Sequence, residues 1–392
     1  MERSYDVVIV GGAAMGSATA YFLRANPDFD GSVLVIERDP TYEKCSTSLS
    51  FGGIRQQFST PENVLLSMFG AEFAREAGDR LEVDGDRPDV SFREQGYLFL
   101  ATEQGHPILE ENCRMQQELG AQVEMVSQAD MAERFPWLNR DGLASGCFGF
   151  KNEGWIDPYA LLQAMRRKAR TLGATYVHDE VVGVTQSGGR VTGVELRDGG
   201  TVSSGHVVNA AGWRAGRVAS MLDIELPVGP RKRMAFVFDC RDDLSHLPLT
   251  VDPTGVAFRP EGRQFIASVS PPEDQDPECD DFEEDLAQFD DIVWPALANR
   301  IPAFEAIKMT GSWVGHYDYN SFDHNGIIGV HPSVGGFYFC NGFSGHGIQQ
   351  SPAAGRAISE LIAYGGYRSI DLARFGYERI AENKPIKEAN VV

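Results

Sequence analysis

The sequence predicts an α/β protein in which a parallel βαβ layer is interleaved with an antiparallel β-sheet. Three stretches carry that reading. Residues 6–37, DVVIVGGAAMGSATAYFLRANPDFDGSVLVIE, run from a short apolar strand through a glycine-rich turn and an Ala-rich helix to a second apolar strand. Residues 227–270 alternate apolar and polar positions in RMAFVFD, GVAFRP and RQFIASVS, the period of half-buried strands. Near the other end, FYFCNGFSGHG repeats the passage from strand to glycine-rich turn to helix. Such turns at both ends, with β-rich inserts between, place the N- and C-terminal segments at one site.

The first turn has a chemical use. The N–H groups at a helix N-terminus are free and attract an anion such as a pyrophosphate. Read as G-x-G-x-x-G, the turn holds Gly11, Ala13 and Gly16, with Gly12, Ala14 and Met15 between them. The Ala13 methyl stands where backbone and pyrophosphate approach most closely, so it sets the phosphates slightly outward. Glu37 ends the second strand 21 positions after Gly16, a spacing at which an acidic side chain accepts hydrogen bonds from ribose hydroxyls. A dinucleotide is the expected ligand.

The remaining elements follow in order. Residues 41–60 form a Ser/Thr/Gly loop containing CSTSLSFGGIRQQFST. A helix is expected over 61–80, with Thr60 as N-cap, Pro61 at its first position and Glu62 in its first turn. A strand follows at 96–101, then helices around 106–119 and 127–134, and a helix over 158–172 capped by Asp157. Strands are expected at 175–184, 191–197 and 201–209, the last two joined by a turn at Asp198-Gly199-Gly200. Residues 281–300 read as helical, 309–319, 325–330 and 337–343 as strands, and 349–364 as the last helix. The division that results is discontinuous: residues 1–90, 150–225 and 325–392 in a cofactor domain, 91–149 and 226–324 in a substrate or cap domain.

Composition narrows the function. At 392 residues the chain exceeds what one simple core organises. No apolar run reaches the roughly 18 residues of a membrane-spanning helix, and MERSYDVVIV enters the first strand directly, so a cytoplasmic location is expected. The net charge of −21 disfavours nucleic acid and anionic membranes as partners. Much of it lies in PEDQDPECDDFEEDLAQFDD, residues 272–291, read as a solvated loop entering a helix. The six cysteines lack C-x-x-C spacing and the eight histidines lack H-x-x-x-H, so neither a disulfide framework nor a metal is expected.

Five motifs in order resemble the D-amino-acid oxidase/sarcosine oxidase superfamily of FAD enzymes, whose cofactor domain is a glutathione-reductase-like Rossmann fold. They are VVIVGGAAMGSATAYFL with VLVIER; STSLSFGGIRQQFS; EGWIDPYALLQAM; VVNAAGWRA; and DHNGIIG followed by GFYFCNGFSGHGIQQSP. The resemblance covers essentially the whole chain. The block SFGGIRQQFSTPENVLLS is most similar to the subgroup of the mitochondrial FAD-dependent oxidoreductase-domain protein, tied to respiratory complex I assembly, and its bacterial relatives.

The resemblance implies FAD and a set of contacts. Gly11, Ala13 and Gly16 would hold the pyrophosphate, with Gly12, Ala14 and Met15 in the same turn; Glu37 would take the adenosine ribose, with Arg38 beside it, and Val182 the adenine through its backbone. Ser46 and Thr47 would lie along the pyrophosphate and ribityl chain, and Ser48, Gly53, Ile54 and Arg55 belong to the same cofactor loop. Ala210, Ala211 and Gly212 would pass beside the pyrophosphate. Gly342, Phe343, Ser344, Gly345, His346, Gly347, Ile348 and Gln349 would line the isoalloxazine. There a helix N-terminus stabilises the negative charge of reduced flavin.

Departures from the family pattern bear on chemistry. Gly315 stands where sarcosine oxidases carry the cysteine that attaches FAD, and Leu49, Ser50 and Phe51 stand before Gly52 where a histidine linkage would arise. FAD is therefore expected to be non-covalent. Gln349 replaces a lysine that binds substrate carboxylate, and Ile266 a lysine that activates oxygen, so a quinone or an electron-transfer protein becomes the expected acceptor. The expected reaction is oxidation of the C–N bond of a secondary amine or amino acid, such as an N-substituted glycine. Arg55 would sit beside the flavin, and His316 and Tyr317 at the substrate side, where strand alternation lets one of the two face the cavity, Tyr317 being preferred. Tyr97, Arg259 and Gln349 would contact substrate, Arg259 by bidentate pairing with a carboxylate. Two rivals stand: a 2-hydroxy-acid dehydrogenase with His316 or His346 as base, and a flavin-bearing assembly factor without turnover. Acid or heat should release free FAD from the purified yellow protein; flavin left with the precipitate would establish a covalent bond.

Overall fold

Val7–Val10 is buried along its whole length, and a run without polar alternation belongs at the centre of a parallel sheet. In the computed structural model, which describes residues 3–389, it pairs in parallel with Val33–Glu37 on one side and His206–Asn209 on the other. Thr175–His178 and Phe337–Asn341 extend the parallel run outward, and Ile327–Val330 adds an antiparallel edge. Helices Ala14–Ala25, Pro61–Arg75, Pro158–Thr171 and Gly347–Tyr364 cover one face, and a meander of Val181–Ser187, Arg190–Leu196 and Gly200–Ser203 covers the other. The first and last long helices meet where small residues allow it: a Cβ on Gly355 would lie 2.6 Å from Ala18.

A second, eight-stranded sheet takes its strands from residues 97–149 and 228–320. It is antiparallel except where Leu249–Val251 runs parallel to Tyr97–Ala101. Its strands alternate with period two. Phe265, Ala267 and Val269 turn into an aromatic core with Phe236, Phe238, Phe258 and Phe304, while Ile266 and Ser268 turn to the opposite face. That opposite face looks toward the edge of the parallel sheet, and the site lies between them.

Several expected elements are divided. The strand read at 175–184 is two strands in two sheets, separated where the Asp179 carboxylate accepts the N–H groups of Glu180 and Asp198. The strand read at 201–209 changes sheets at Ser204, whose hydroxyl is bonded to the carbonyls of Asp6 and His206. An apolar run carries no mark of which sheet it joins. The 61–80 helix breaks after Arg75 and resumes over Ala77–Arg80. Thr60 precedes it without a side-chain capping bond; the carboxylate of Glu388, from the far end of the chain, takes the Ser59 N–H and the Asn63 amide instead. Asp157 does cap its helix, accepting the Ala160 N–H at 2.9 Å.

Regular helix in the acidic stretch begins late, in a wide turn over Phe289–Val293 followed by Trp294–Arg300. Residues 272–285 are solvated along most of their length but pinned by opposite charges to the cap sheet and to the helix Ala215–Ala219. Asp276 pairs with Arg233 through two bonds of 2.8 and 2.7 Å, Asp280 with Arg217 at 2.8 Å, and Asp281 with Lys232 at 3.0 Å. Among the described residues no helix is long and apolar enough to cross a membrane, and no group of His, Cys, Asp and Glu is arranged to hold a metal ion.

Candidate functional site

Glycine at position 11 lets two strands end together: its φ is +97°, and a Cβ there would lie 2.4 Å from the Ala210 carbonyl oxygen. The chain then turns into a helix whose first position has no side-chain cap. Gly12 N–H donates to Glu37 Oε2 and Asp39 N–H to Oε1, both at 2.8 Å. Burial raises the Glu37 pKa against the pull of those amides. Each carboxylate oxygen keeps a second lone pair for a ligand.

From this point a cavity of about 460 Å³ opens between the parallel sheet and the cap sheet. Gly11, Ala13, Ala14, Met15, Glu37 and Arg38 form one end of its wall, with Ser46, Thr47, Ala210, Ala211 and Gly212. Ala14 N–H donates to Thr47 Oγ1, which ties the early loop to the helix start. Gly12 and Gly16 stand behind this wall, as do Gly53 and Ile54, which pair with Gly154–Trp155, and Ser48, which bonds Cys45. Val181, with Asp179 and Glu180, lines the cavity; the Val182 side chain is 45 % exposed, because alternation turns only one of the two inward.

The other end is an apolar seat of Leu49, Phe51, Met234, Ala235, Trp313 and Gly315, closed by Gly345, Gly347 and Ile348. Gly342, Phe343 and Ser344 do not reach it. Their N–H groups go to Asp318: the first two donate to its carboxylate at 2.9 and 3.1 Å, the third to its backbone carbonyl. Burial pushes the Asp318 carboxyl up to about 6 against these amides. Asp318 escaped the sequence reading, although a lone acid in the apolar alternation of GHYDYN was a usable signal.

Both His316 and Tyr317 line the cavity, which bends around this end of their strand. His316 is wedged between Trp213 and Phe282, and burial lowers its pKa. Tyr317 stands against Gly345 with Arg233 over its ring at 4.8 Å.

Arg55 lies off the cavity wall in a box of aromatic rings, 4.5 Å from the centroid of Phe58, 5.7 Å from Tyr97 and 5.6 Å from Phe99. No carboxylate lies within ion-pair distance of it among the described residues. Gln349 Oε1 accepts the Arg55 N–H at 2.7 Å, so that side chain holds the loop. His346 meets Phe58 edge-on, and burial and the nearby Arg55 charge keep its imidazole neutral, with its pKa well below the usual value. Arg259 is committed elsewhere, to Glu261 and to the Phe51 carbonyl, and does not line the cavity. Its strand position was legible; its partners, one local and one 208 residues away, were not.

Five polar atoms of cavity-lining residues are buried without a partner: Ser46 Oγ, Arg214 Nε, Arg233 Nε and both ring nitrogens of His316. Orphaned donors and acceptors beside a helix N-terminus whose N-cap residue, Ala13, supplies no side-chain bond fit a polar dinucleotide. A family model described as FAD dependent oxidoreductase, DAO, matches residues 6–361. The chain belongs to the DAO family of FAD-dependent oxidoreductases. FAD-dependent oxidoreductase domain-containing protein 1 from Xenopus laevis is 42 % identical over 426 residues, covering 100 % of this chain and 85 % of its own. Among solved structures, L-proline dehydrogenase from P. horikoshii superposes with a TM-score of 0.86 at 22 % identity, covering 98 % of this chain and 100 % of its own. Glycine oxidase from Geobacillus kaustophilus gives 0.81 at 22 %, covering 96 % and 98 %.

FAD is thus the cofactor of this DAO-family chain. Ala13–Met15 would face its pyrophosphate, Glu37 its ribose, and the apolar seat its ring system. In Glu37→Gln the amide can accept from Gly12 but not also from Asp39 and a ribose hydroxyl. The FAD dissociation constant should rise by about ten- to a hundredfold, read by flavin fluorescence on titrating apoprotein; unchanged affinity would remove Glu37 from the site.

Proposed function

We propose that this flavoprotein oxidises the C–N bond of a secondary amine or an amino acid. The observation that carries the reading is Arg55, a guanidinium held by aromatic faces and left without a carboxylate of its own. A half-buried cation without a carboxylate of its own is open to a ligand, and a planar carboxylate matches its fork. Tyr317 lines the cavity wall, and Tyr97 closes the box.

When bound, FAD supplies a hydride acceptor at N5. Hydride loss from carbon next to a neutral amine needs little acid–base help, so the residues mainly hold the C–H in line and keep water out. Arg55 would fix the carboxylate, Tyr317 the near side of the substrate, and neutral His346 would leave the amine without a competing cation. His316, pressed between Trp213 and Phe282, would act on the cofactor side. Gln349 holds Arg55, and Tyr97 packs the box. One observation favours the 2-hydroxy-acid reading: a neutral imidazole is also a competent base, and His346 has one.

Anaerobic bleaching of the bound flavin by a panel of N-alkyl amino acids, amino acids and 2-hydroxy acids decides between these readings. Bleaching by amines that survives in His316→Asn and His346→Asn removes the hydroxy-acid reading, and no bleaching by any member removes turnover altogether. Arg55→Ala should keep FAD, lower its reduction potential and slow flavin reduction by roughly a hundredfold, since a preorganised charge at the reacting centre is lost; an unchanged potential would place Arg55 away from the ring.

We further propose that a quinone or an electron-transfer protein is a better acceptor than oxygen. Ile266, buried on the face of the cap sheet opposite its aromatic core, offers no cation to a developing superoxide. Reduced protein should reoxidise in air more slowly than with a quinone analogue, and Ile266→Lys should narrow the gap; equal rates in wild type would identify an oxidase.

A further inference from the structure

Glu153 has no part in the chemistry above. It is fully buried and has no ion pair among the described residues. Its Oε1 accepts the Gln56 N–H at 2.6 Å and its Oε2 accepts from the Gln57 amide at 2.7 Å. Two neutral hydrogen bonds do not offset the removal of a carboxylate from water. The amides of Gln56 and Gln57 both contact this carboxyl, and each carries a buried Oε1 that has no donor. Protonation of Glu153 removes the charge that burial penalises.

The residue before Gln56 is Arg55, the unpaired guanidinium of the aromatic box. The groups around Glu153 are Arg55 from this loop, Tyr97 from its strand, the Cys147 thiol from the next strand, and the Cys113 thiol with Glu124 beyond. Arg55 is the one cation among them. A carboxyl and a guanidinium, neither with a formal partner among the described residues, are therefore linked across two loops through the Gln56 N–H. We propose that Glu153 is a positioning residue that sets the field around Arg55: uncharged, it leaves the guanidinium free to hold a carboxylate, and ionised, it places a second negative charge near the guanidinium and weakens that hold. The inference rests on the reading of Arg55 as the partner of a substrate carboxylate.

The sign follows from the environment. Burial pushes the Glu153 carboxyl up to about 8, with Arg55 and the amides pulling the other way. Below that pH it keeps its proton and the hold on an anion is complete; as pH rises through it the hold is lost, by up to about tenfold in affinity per pH unit.

Acetate, ionised throughout, is the probe, and its dissociation constant is read on the holoprotein from the perturbed flavin spectrum between about pH 6.5 and 9.5. Wild type should be level up to about pH 8 and weaken above it, and Glu153→Gln should be level throughout. If Glu153→Gln does not fold, Gln57→Met serves. It removes a bond that favours the charged form and should move the break to higher pH. A level wild-type profile overturns the inference, and so does a Glu153→Gln profile that keeps the wild-type break while weakening equally at every pH, the signature of a structural role. Acetate that fails to bind at any pH overturns the reading of Arg55 itself, and this inference with it.

Discussion

The site depends on one buried carboxyl that joins the two sheets. Asp318 ends the long cap-sheet strand, and the N–H groups of Gly342 and Phe343 converge on it from the loop before the last helix. Those amides come from backbone that includes Gly342 at φ +76°, and Ser344 two residues on is also at positive φ. Without an acceptor there, the turn would bury unsatisfied donors. The bond sets where Gly345, Gly347 and Ile348 enter the cavity, and it sets the position of Tyr317 and His316 on the neighbouring residues of the same strand. A cavity wall drawn from both sheets needs such a tie, because the two layers share no strand.

Elsewhere the chain treats buried charge conservatively. Arg233, Arg259, Arg300 and Arg379 are all buried, and each meets a carboxylate: Asp276, Glu261, Asp252 and Asp323. Arg55 meets aromatic rings and Glu153 meets amides. Asp318 is likewise buried without an ion pair among the described residues, and like Glu153 it is held by N–H groups. Arg55, half-buried, is the cation of this set that meets no carboxylate, and such a cation in a box of rings is open to a ligand.

Much of this was visible in the residues. The βαβ unit, the glycine turns at both ends, the hairpin at Asp198-Gly199-Gly200 and the cap on the 158–171 helix rest on interactions between residues close in sequence, and local chemistry is enough to read them. The interruptions at Asp179 and Ser204 were not visible, because a strand changes sheets for reasons of layer geometry that its own side chains do not record. Thr60 illustrates the same limit at a helix end: the residue type is right for a cap, but a carboxylate from position 388 occupies the neighbourhood first.

The sequence by itself determined the fold class, which follows from the period of apolar residues and from glycine where the backbone needs it, and five motifs in order carried the resemblance to the family. Only the tertiary structure decided how hydrogen bonds and charges are allotted. It gave Gly342 and Phe343 to Asp318, Gln349 to the Arg55 backbone and Arg259 to Glu261, and it left Arg55 and Glu153 unpaired. Each of these side chains could have served several partners. Which partner it meets depends on how segments arrive beside one another, from two residues apart at Arg259 and Glu261 to 294 apart at Arg55 and Gln349, and that arrangement exists only once the sheets have packed.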